Sequence, residues 1–155
     1  MAQTWAPTMK NAMAQAVAQV LAQWNADKAS LTDPAKTEVD IFAAFGRGHQ
    51  KLKPCSLRVL PPGGGSRFTV IASTSLEGVL VLPIVVRSSG ADPAKIADVH
   101  VELVGLVIDG LQSDLTLNGQ VVGPAENTFT FGAVETEPGH SFVEQEILAA
   151  FVKVQ

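Results

Sequence analysis

Two stretches of the chain place apolar residues at the three- and four-residue spacing of an amphipathic helix. The first runs from about residue 8 to 25, and its apolar face contains Met9, Met13, Ala16, Val17, Val20, Leu21 and Trp24. Its glutamines fall together on the other side, which predicts a solvated face or a polar contact surface in an assembly; they are Gln15, Gln19 and Gln23. The second stretch runs from about 92 to 111, with Asp92 as a good N-cap and Pro93 as a good first helical residue. It is more uniformly apolar, so we expect this helix to be well buried.

Runs rich in β-branched and aromatic residues predict strands between and after the two helices. The predicted strands are 39–45, 56–60, 68–73, 78–87, 120–123, 127–135 and 142–154. Turns are expected at 76–78, at Asn118-Gly119 and at 137–140, and Pro83 is expected to mark an edge strand, a bulge or a break. This order predicts an α+β fold, a mostly antiparallel sheet packed against two helices (about 8-25 and 92-111), and we expect residues 1-155 to form a single domain.

The composition narrows the class of protein. The chain is 46% hydrophobic, enough for a substantial core, but only 17% charged. So few charges favour either a surface partly covered by a partner or simply a domain rich in alanine and valine. The net charge of −4 and the lack of a basic run argue against a nucleic-acid-binding surface. Glutamines interrupt the apolar N-terminal run, which argues against a secretory signal, and no window has the ~18 apolar residues that a membrane span needs.

The segment Pro61-Pro62-Gly63-Gly64-Gly65-Ser66 raises the question of a phosphate-binding loop. Such a loop has to lead into a helix whose N-terminus faces the phosphate, whereas here Arg67 leads into a predicted strand. We therefore interpret the segment as a flexible connection between two strands, with docking onto a partner as the functional alternative to a simple connection. The basic segment 46–53 is either a contact for a phosphate or an acidic partner, or a plain exposed loop.

Residues that carry chemistry are few and scattered along the sequence. The three histidines, His49, His100 and His140, have no partner at zinc-ligand spacing, so no metal site is predicted. The single cysteine excludes an internal disulfide, and Cys55 is expected to be a structural thiol rather than a nucleophile. The glutamates of 135–137 and 144–146 alternate along predicted strands, which favours solvated faces or contacts between subunits over acid–base catalysis. No catalytic residue and no cofactor are predicted.

The second predicted helix and the segment after it, 101–122, show a resemblance to a known family. The positions that carry it are Leu103, Val107, Leu111, Asp114, Leu117, Gly119 and Val121. This pattern resembles the tail terminator (gpU-like) proteins of long-tailed bacteriophages, and the order of elements over most of the chain is similar to theirs. The resemblance implies a virion protein of the tail or neck, assembled in the host cytoplasm. In that family a ring, usually a hexamer, caps the tail tube and joins it to the head–tail connector or stopper protein.

The family has no catalytic residues to transfer, but its rings use loops and hairpins to grip their neighbours. By that analogy the candidate assembly contacts are Arg47, His49, Lys51, Lys53, Gly63, Gly64, Gly65 and Arg67. The implied partners are further copies of the chain, the tail tube protein and the connector, with no sequence-specific nucleic acid and no membrane. Three alternatives remain open: a small cytoplasmic α+β module that binds an apolar ligand, a head-completion or neck protein of the same virion, and an enzyme without a recognisable motif.

Overall fold

The computed structural model describes residues 5–43, 53–136 and 142–155. Its elements in chain order are helix α1 (Trp5–Asp27), a short 3-10 helix (Lys28–Ser30), strands β1 (Val39–Ala43), β2 (Cys55–Val59), β3 (Arg67–Ala72) and β4 (Ser75–Ser89), helix α2 (Pro93–Gln112), and strands β5 (Gly123–Glu135) and β6 (Phe142–Val154). The predicted α+β class is confirmed: a six-stranded, mostly antiparallel sheet accompanies two helices. Neither described helix is both long enough and apolar enough to cross a membrane.

The sheet is built around the long strand β4. The strand order is β1-β2-β4-β6-β5, and β3 also pairs with β4. Strand β2 pairs with residues 84–88 of β4 and β3 with residues 75–79, so β2 and β3 follow one another along the same side of β4. The β1–β2 pair is parallel and every other pair is antiparallel.

Both helices pack on one face of this sheet. The core takes alternate residues of the central strands, including Leu80, Leu82 and Ile84 of β4 and Ile147 and Phe151 of β6. Because successive strand side chains point to opposite faces, the odd-numbered residues of β4 face away from the helices. No described helix covers that second face, which we call the outer face.

The glutamine side of α1 is only partly solvated: Gln15 and Gln23 are half-buried, and at Gln19, which is buried, the expectation of a solvated face is wrong. Gln19 is only 7% exposed, and its Nε2 donates to carbonyl oxygens at the C-terminal end of α2, at 3.1 Å to Gly110 and 3.1 Å to Asp114. The helices approach closely at this point, since a Cβ on Gly110 would lie 2.9 Å from the Cα of Val20. Leu21, assigned to the apolar face, is instead exposed. Contact with α2 therefore turns α1 away from the orientation that its apolar pattern predicts.

Helix α2 begins as the sequence predicts. The Asp92 side chain accepts hydrogen bonds from the backbone N–H groups of Ala94 and Lys95, and Pro93 occupies the first turn. After the helix, Asn118 (φ 56°) and Gly119 (φ 80°) form a turn, but it does not make a hairpin because residues 120–122 are not in a strand. The predicted strand 120–123 is therefore wrong, and the strand predicted at 127–135 is the latter part of the longer β5.

Two further details of the strand prediction need correction. The turn expected at 76–78 lies instead at Ser73-Thr74, because Ser75 already pairs with Ala72. Pro83 does not break β4, whose pairing with β6 continues through it without a register shift. The carbonyl oxygen of Pro83 accepts from the N–H of Leu60, on the side of β4 where β2 has just ended. A proline fits there because its missing N–H faces a loop rather than the β6 ladder.

Three sequence predictions fall wholly or partly outside the described residues. They concern the last residues of the strand at 39–45, the basic segment 46–53 except for Lys53, and the turn at 137–140.

Candidate assembly surfaces

The glycine-rich segment is an insertion in an otherwise continuous strand. Val59 pairs with Ile84 and Arg67 with Val79, so seven residues, 60–66, lie opposite only four residues of β4, 80–83. The segment is tied back to β4: the N–H of Gly63 donates to the oxygen of Val81 at 3.0 Å, and the N–H of Val81 donates to Oγ of Ser66 at 2.9 Å. The loop is therefore fastened to β4 at its middle residue, Gly63, as well as near its end, and within it only Gly64 and Gly65 are exposed.

The loop runs into a strand rather than a helix, as the sequence predicts. Gly65 has φ +90°, a conformation that favours glycine, while a Cβ on Gly64 would meet nothing within 4 Å. Gly64, Gly65 and Arg67 are exposed and border a depression of about 440 Å³ on the outer face. These candidate contacts thus lie together on one accessible surface.

The candidate contacts of the basic segment do not join this surface. Lys53 is exposed, and it is held by Asp40, which accepts from the backbone N–H of Lys53 at 3.0 Å and lies 3.8 Å from its Nζ. Lys53 precedes β2 whereas the glycine loop follows it, so the full length of that strand separates them. Arg47, His49 and Lys51 lie outside the described residues.

Strand β3 carries an apolar surface that sequence reasoning did not single out. All six of its residues are exposed, and Val70 is 69% exposed. The hairpin of β3 and the start of β4 is anchored at its base, where the rings of Trp5 and Phe68 pack edge to face with centroids 4.7 Å apart. The run FTVIA looks like a buried strand in the sequence, because β-branched residues predict a strand without telling which strands another element covers.

A second exposed apolar surface lies at the opposite edge of the sheet, on β5. Phe131 is 53% and Val134 is 56% exposed, and Val122, just before the strand, is exposed as well. Like β3, β5 pairs along only one side, with β6. Most of the exposed large apolar residues in the described part of the chain thus lie at or beside two separate edges of one sheet.

The outer face has an apolar centre and a charged end. Val79, Val81 and Ala150 form a small cluster there. Beyond it a depression of about 470 Å³ is lined by Arg58 and by the carboxylates of Glu135, Glu144 and Glu146. Arg87 lies 3.8 Å from Glu144 and above the ring of Phe142. The glutamates predicted to occupy solvated faces or subunit contacts therefore share one face, except Glu137, which lies outside the described residues.

Two residues with reactive side chains, Cys55 and His100, are buried, whereas His49 and His140 lie outside the described residues. Burial, aided by the nearby negative charge of Glu38, raises the pKa of the Cys55 thiol to about 11, so the thiolate that a nucleophile needs is scarce at neutral pH. Nε2 of His100 lies 2.9 Å from Oε1 of Gln145, whose Nε2 donates to the oxygen of Gly132. Among the described residues, no group of three or more His, Cys, Asp or Glu could hold a metal ion.

The positions that carry the sequence resemblance are core and turn positions in the structure. Leu103, Val107, Leu111, Leu117 and Val121 are all buried. The carboxylate of Asp114 accepts from the backbone N–H groups two and four residues later and thereby organises the turn. No protein-family model matches the chain, and no curated protein is significantly similar to it.

Proposed function

We propose that this protein is a structural subunit of a long-tailed bacteriophage virion, forming a ring that caps the tail tube and joins it to the head–tail connector. The observation that carries the proposal is the concentration of exposed large apolar side chains on β3 and β5, at two separate edges of the sheet. Exposed apolar surfaces do not stabilise an isolated monomer, whereas a subunit with two different apolar edges can bury them by binding its neighbours head to tail.

Composition and sequence pattern support the same proposal. The low fraction of charged residues suits a protein with much of its surface covered by neighbours, and the net charge of −4 suits a ring whose opening passes DNA without holding it. The pattern over residues 101–122 points to the tail terminator class. Its partners in this role are further copies of the chain, the tail tube protein and the connector, and its place is the tail or neck of the virion.

Native mass spectrometry over a rising concentration series, with negative-stain images of the same sample, tests the proposal. We expect a closed ring of a single stoichiometry, a hexamer by analogy with the family, with an open centre. A chain that stays monomeric at every concentration, and that also stays off added tail tubes, contradicts it. A ring that binds a connector but no tube favours the neck protein instead.

One observation favours a second candidate, a module that binds a small apolar ligand. An apolar depression of about 350 Å³ lies where the N-terminal end of α2 meets the end of β4, lined by Pro34, Pro54, Ile96 and Val99 among others. Its size and lining are those of small-molecule sites. A monomer that carries a bound small molecule through native mass spectrometry supports this candidate, and a ligand-free ring supports the first.

A further inference from the structure

The two apolar edges are matched in strand direction. From one edge to the other, the strands β3, β4, β6 and β5 are paired antiparallel at every step. An array of four alternating strands ends in strands that run in opposite directions. If a second copy is placed beside the first without being turned over, its β5 therefore lies antiparallel to β3, and the alternation continues across the junction.

The hydrogen-bonding groups of β3 also point the right way. The N–H of Leu76 donates to the oxygen of Gln155 and its oxygen accepts in return, so the even-numbered residues of β4 bond towards β6. Phe68 and Val70 lie opposite the even-numbered Gly78 and Leu76. Since Gly78 and Leu76 bond towards β6, they form non-hydrogen-bonded pairs with Phe68 and Val70. The two residues of such a pair direct their N–H and C=O groups away from each other, so those of Phe68 and Val70 face the free edge of β3.

The same reasoning applies at β5. The oxygen of Val152 accepts from the N–H of Val122, so the even-numbered residues of β6 bond towards β5. Phe129 and Phe131 lie opposite the odd-numbered Ala149 and Ile147, so their backbone groups face the free edge. At both edges, then, the outward-facing backbone belongs to large apolar residues, and the register places their side chains on the helix-side face of the sheet.

We propose that the free edge of β3 in one subunit pairs antiparallel with the free edge of β5 in the next copy, making one sheet that runs through the assembly. The occupant of each edge is a second copy because direction, backbone orientation and apolar face all match within the chain itself. The contact is heterologous, joining two different surfaces, so it propagates head to tail and closes when the rotation between subunits allows it. This inference names the subunit interface and rests on the proposed ring.

The pairing also has a predicted offset. Val70 lies level with Leu76 of β4, whereas Phe131 lies, through Ile147 of β6, level with Ile84. Bringing Val70 opposite Phe131 shifts the second copy along the strands by eight residues, roughly 26 Å at ~3.3 Å per residue. The shift is also a steric requirement, because β2 and β1 occupy the space beside the other end of β4.

Proline substitution isolates the outward-facing backbone. In Val70→Pro and Phe131→Pro the lost N–H is one that makes no bond within the sheet, so each monomer should keep its fold, as edge strands tolerate proline on the solvent side. Val70→Thr is the matched control, since it keeps both the N–H and the β-branched shape. We expect native mass spectrometry to find monomers for both proline variants and the wild-type oligomer for Val70→Thr, with circular dichroism spectra unchanged.

Hydrogen exchange provides an independent measurement on the unmodified chain. The amides of Val70 and Phe131 should exchange fast in dilute monomer and at least tenfold more slowly in the oligomer. Oligomers that persist in both proline variants, with these amides still exchanging fast, overturn the edge pairing while leaving the ring itself intact. A wild-type chain that forms no oligomer, alone or on tail tubes, overturns the edge pairing and the proposed function together.

Discussion

Deleting Gly63, Gly64 and Gly65 should convert the interrupted strand into a continuous one. The loop is three residues longer than the stretch of β4 that it faces, so removing three residues brings β2 and β3 into a single register with β4. Every side chain of β3 stays on the same face of the sheet, because the three residues removed are the three by which the loop exceeds the stretch of β4 opposite it. The fold should therefore survive the deletion.

The energetic cost of this deletion can be bounded from the hydrogen bonds at the loop. The deletion removes the bond from the N–H of Gly63 to Val81 and places Pro62, which has no N–H, in its position. It also disturbs the bond from the N–H of Val81 to Oγ of Ser66. At about 1 kcal/mol for each bond, the free energy of unfolding should fall by no more than about 2 kcal/mol, and ordering three fewer residues offsets part of this loss.

Urea unfolding and near-ultraviolet circular dichroism measure the outcome, with a deletion of residues 63–66 as the matched control. The control leaves only three loop residues opposite the four residues 80–83 of β4, so β3 has to shift its register by one position. This shift turns its side chains to the opposite face of the sheet, which should lower the free energy of unfolding further and separate Phe68 from Trp5. A three-residue deletion that unfolds the protein, or that costs more than its control, refutes the reasoning. If the exposed loop contributes to assembly, as its sequence predicts, the shortened protein should also assemble more weakly, and wild-type assembly excludes that contribution.

Three further predictions concern the contact between the helices and the turn that follows it. Gln19→Ala leaves buried carbonyls at the end of α2 without a donor and should lower the free energy of unfolding by about 1–3 kcal/mol, measured in urea; an effect no larger than that of Gln15→Ala contradicts the buried role. Gly110→Ala forces a Cβ against the backbone of α1 and should lower the free energy of unfolding by about 1–3 kcal/mol. In the control Gly105→Ala, in the same helix, the new Cβ meets no atom within 4 Å, so this variant should be more stable than the wild type by about 0.5–1 kcal/mol. Equal melting temperatures for the two variants would disprove the close approach of the helices. Hydrogen bonds from the hydroxyl and the N–H of Thr116 hold the pKa of Asp114 below its ordinary value of 3.8. The stabilisation from this carboxylate is therefore present above that pH and is lost as the pH falls through the lowered pKa. Asp114→Asn should flatten the acid side of a curve of unfolding free energy against pH, and a variant curve with the wild-type slope rules this out.

Much of the fold follows from local sequence, because the signals involved act over a few residues. The Asp92-Pro93 cap and the helical spacing after it place α2 within one residue of its observed limits. The β-branched runs place most of the strands, since such residues favour extended backbone wherever they occur. The glycine loop could likewise be excluded as a phosphate site from the strand that follows it.

The candidate surface could be predicted only in part. The sequence singles out Gly63, Gly64, Gly65 and Arg67, which the fold brings together, but it groups them with Lys53, which lies beyond the far end of β2. The sequence gives no indication that β3 is exposed, because an apolar strand has the same residues whether or not another element covers it. The exposed apolar edges are a property of strand order rather than of any one strand.

The sequence by itself determined the α+β class, the two helices and most of the strands, together with the lack of a recognisable catalytic motif. Only the tertiary structure decided which side of α1 is buried, that β2 and β3 share one side of β4, and which strands are left as edges. Helix and strand preferences depend on neighbouring residues, whereas burial and pairing depend on contacts between distant segments. Gln19 illustrates the difference, because its surroundings are set by α2, whose Gly110 lies 91 residues further along the chain.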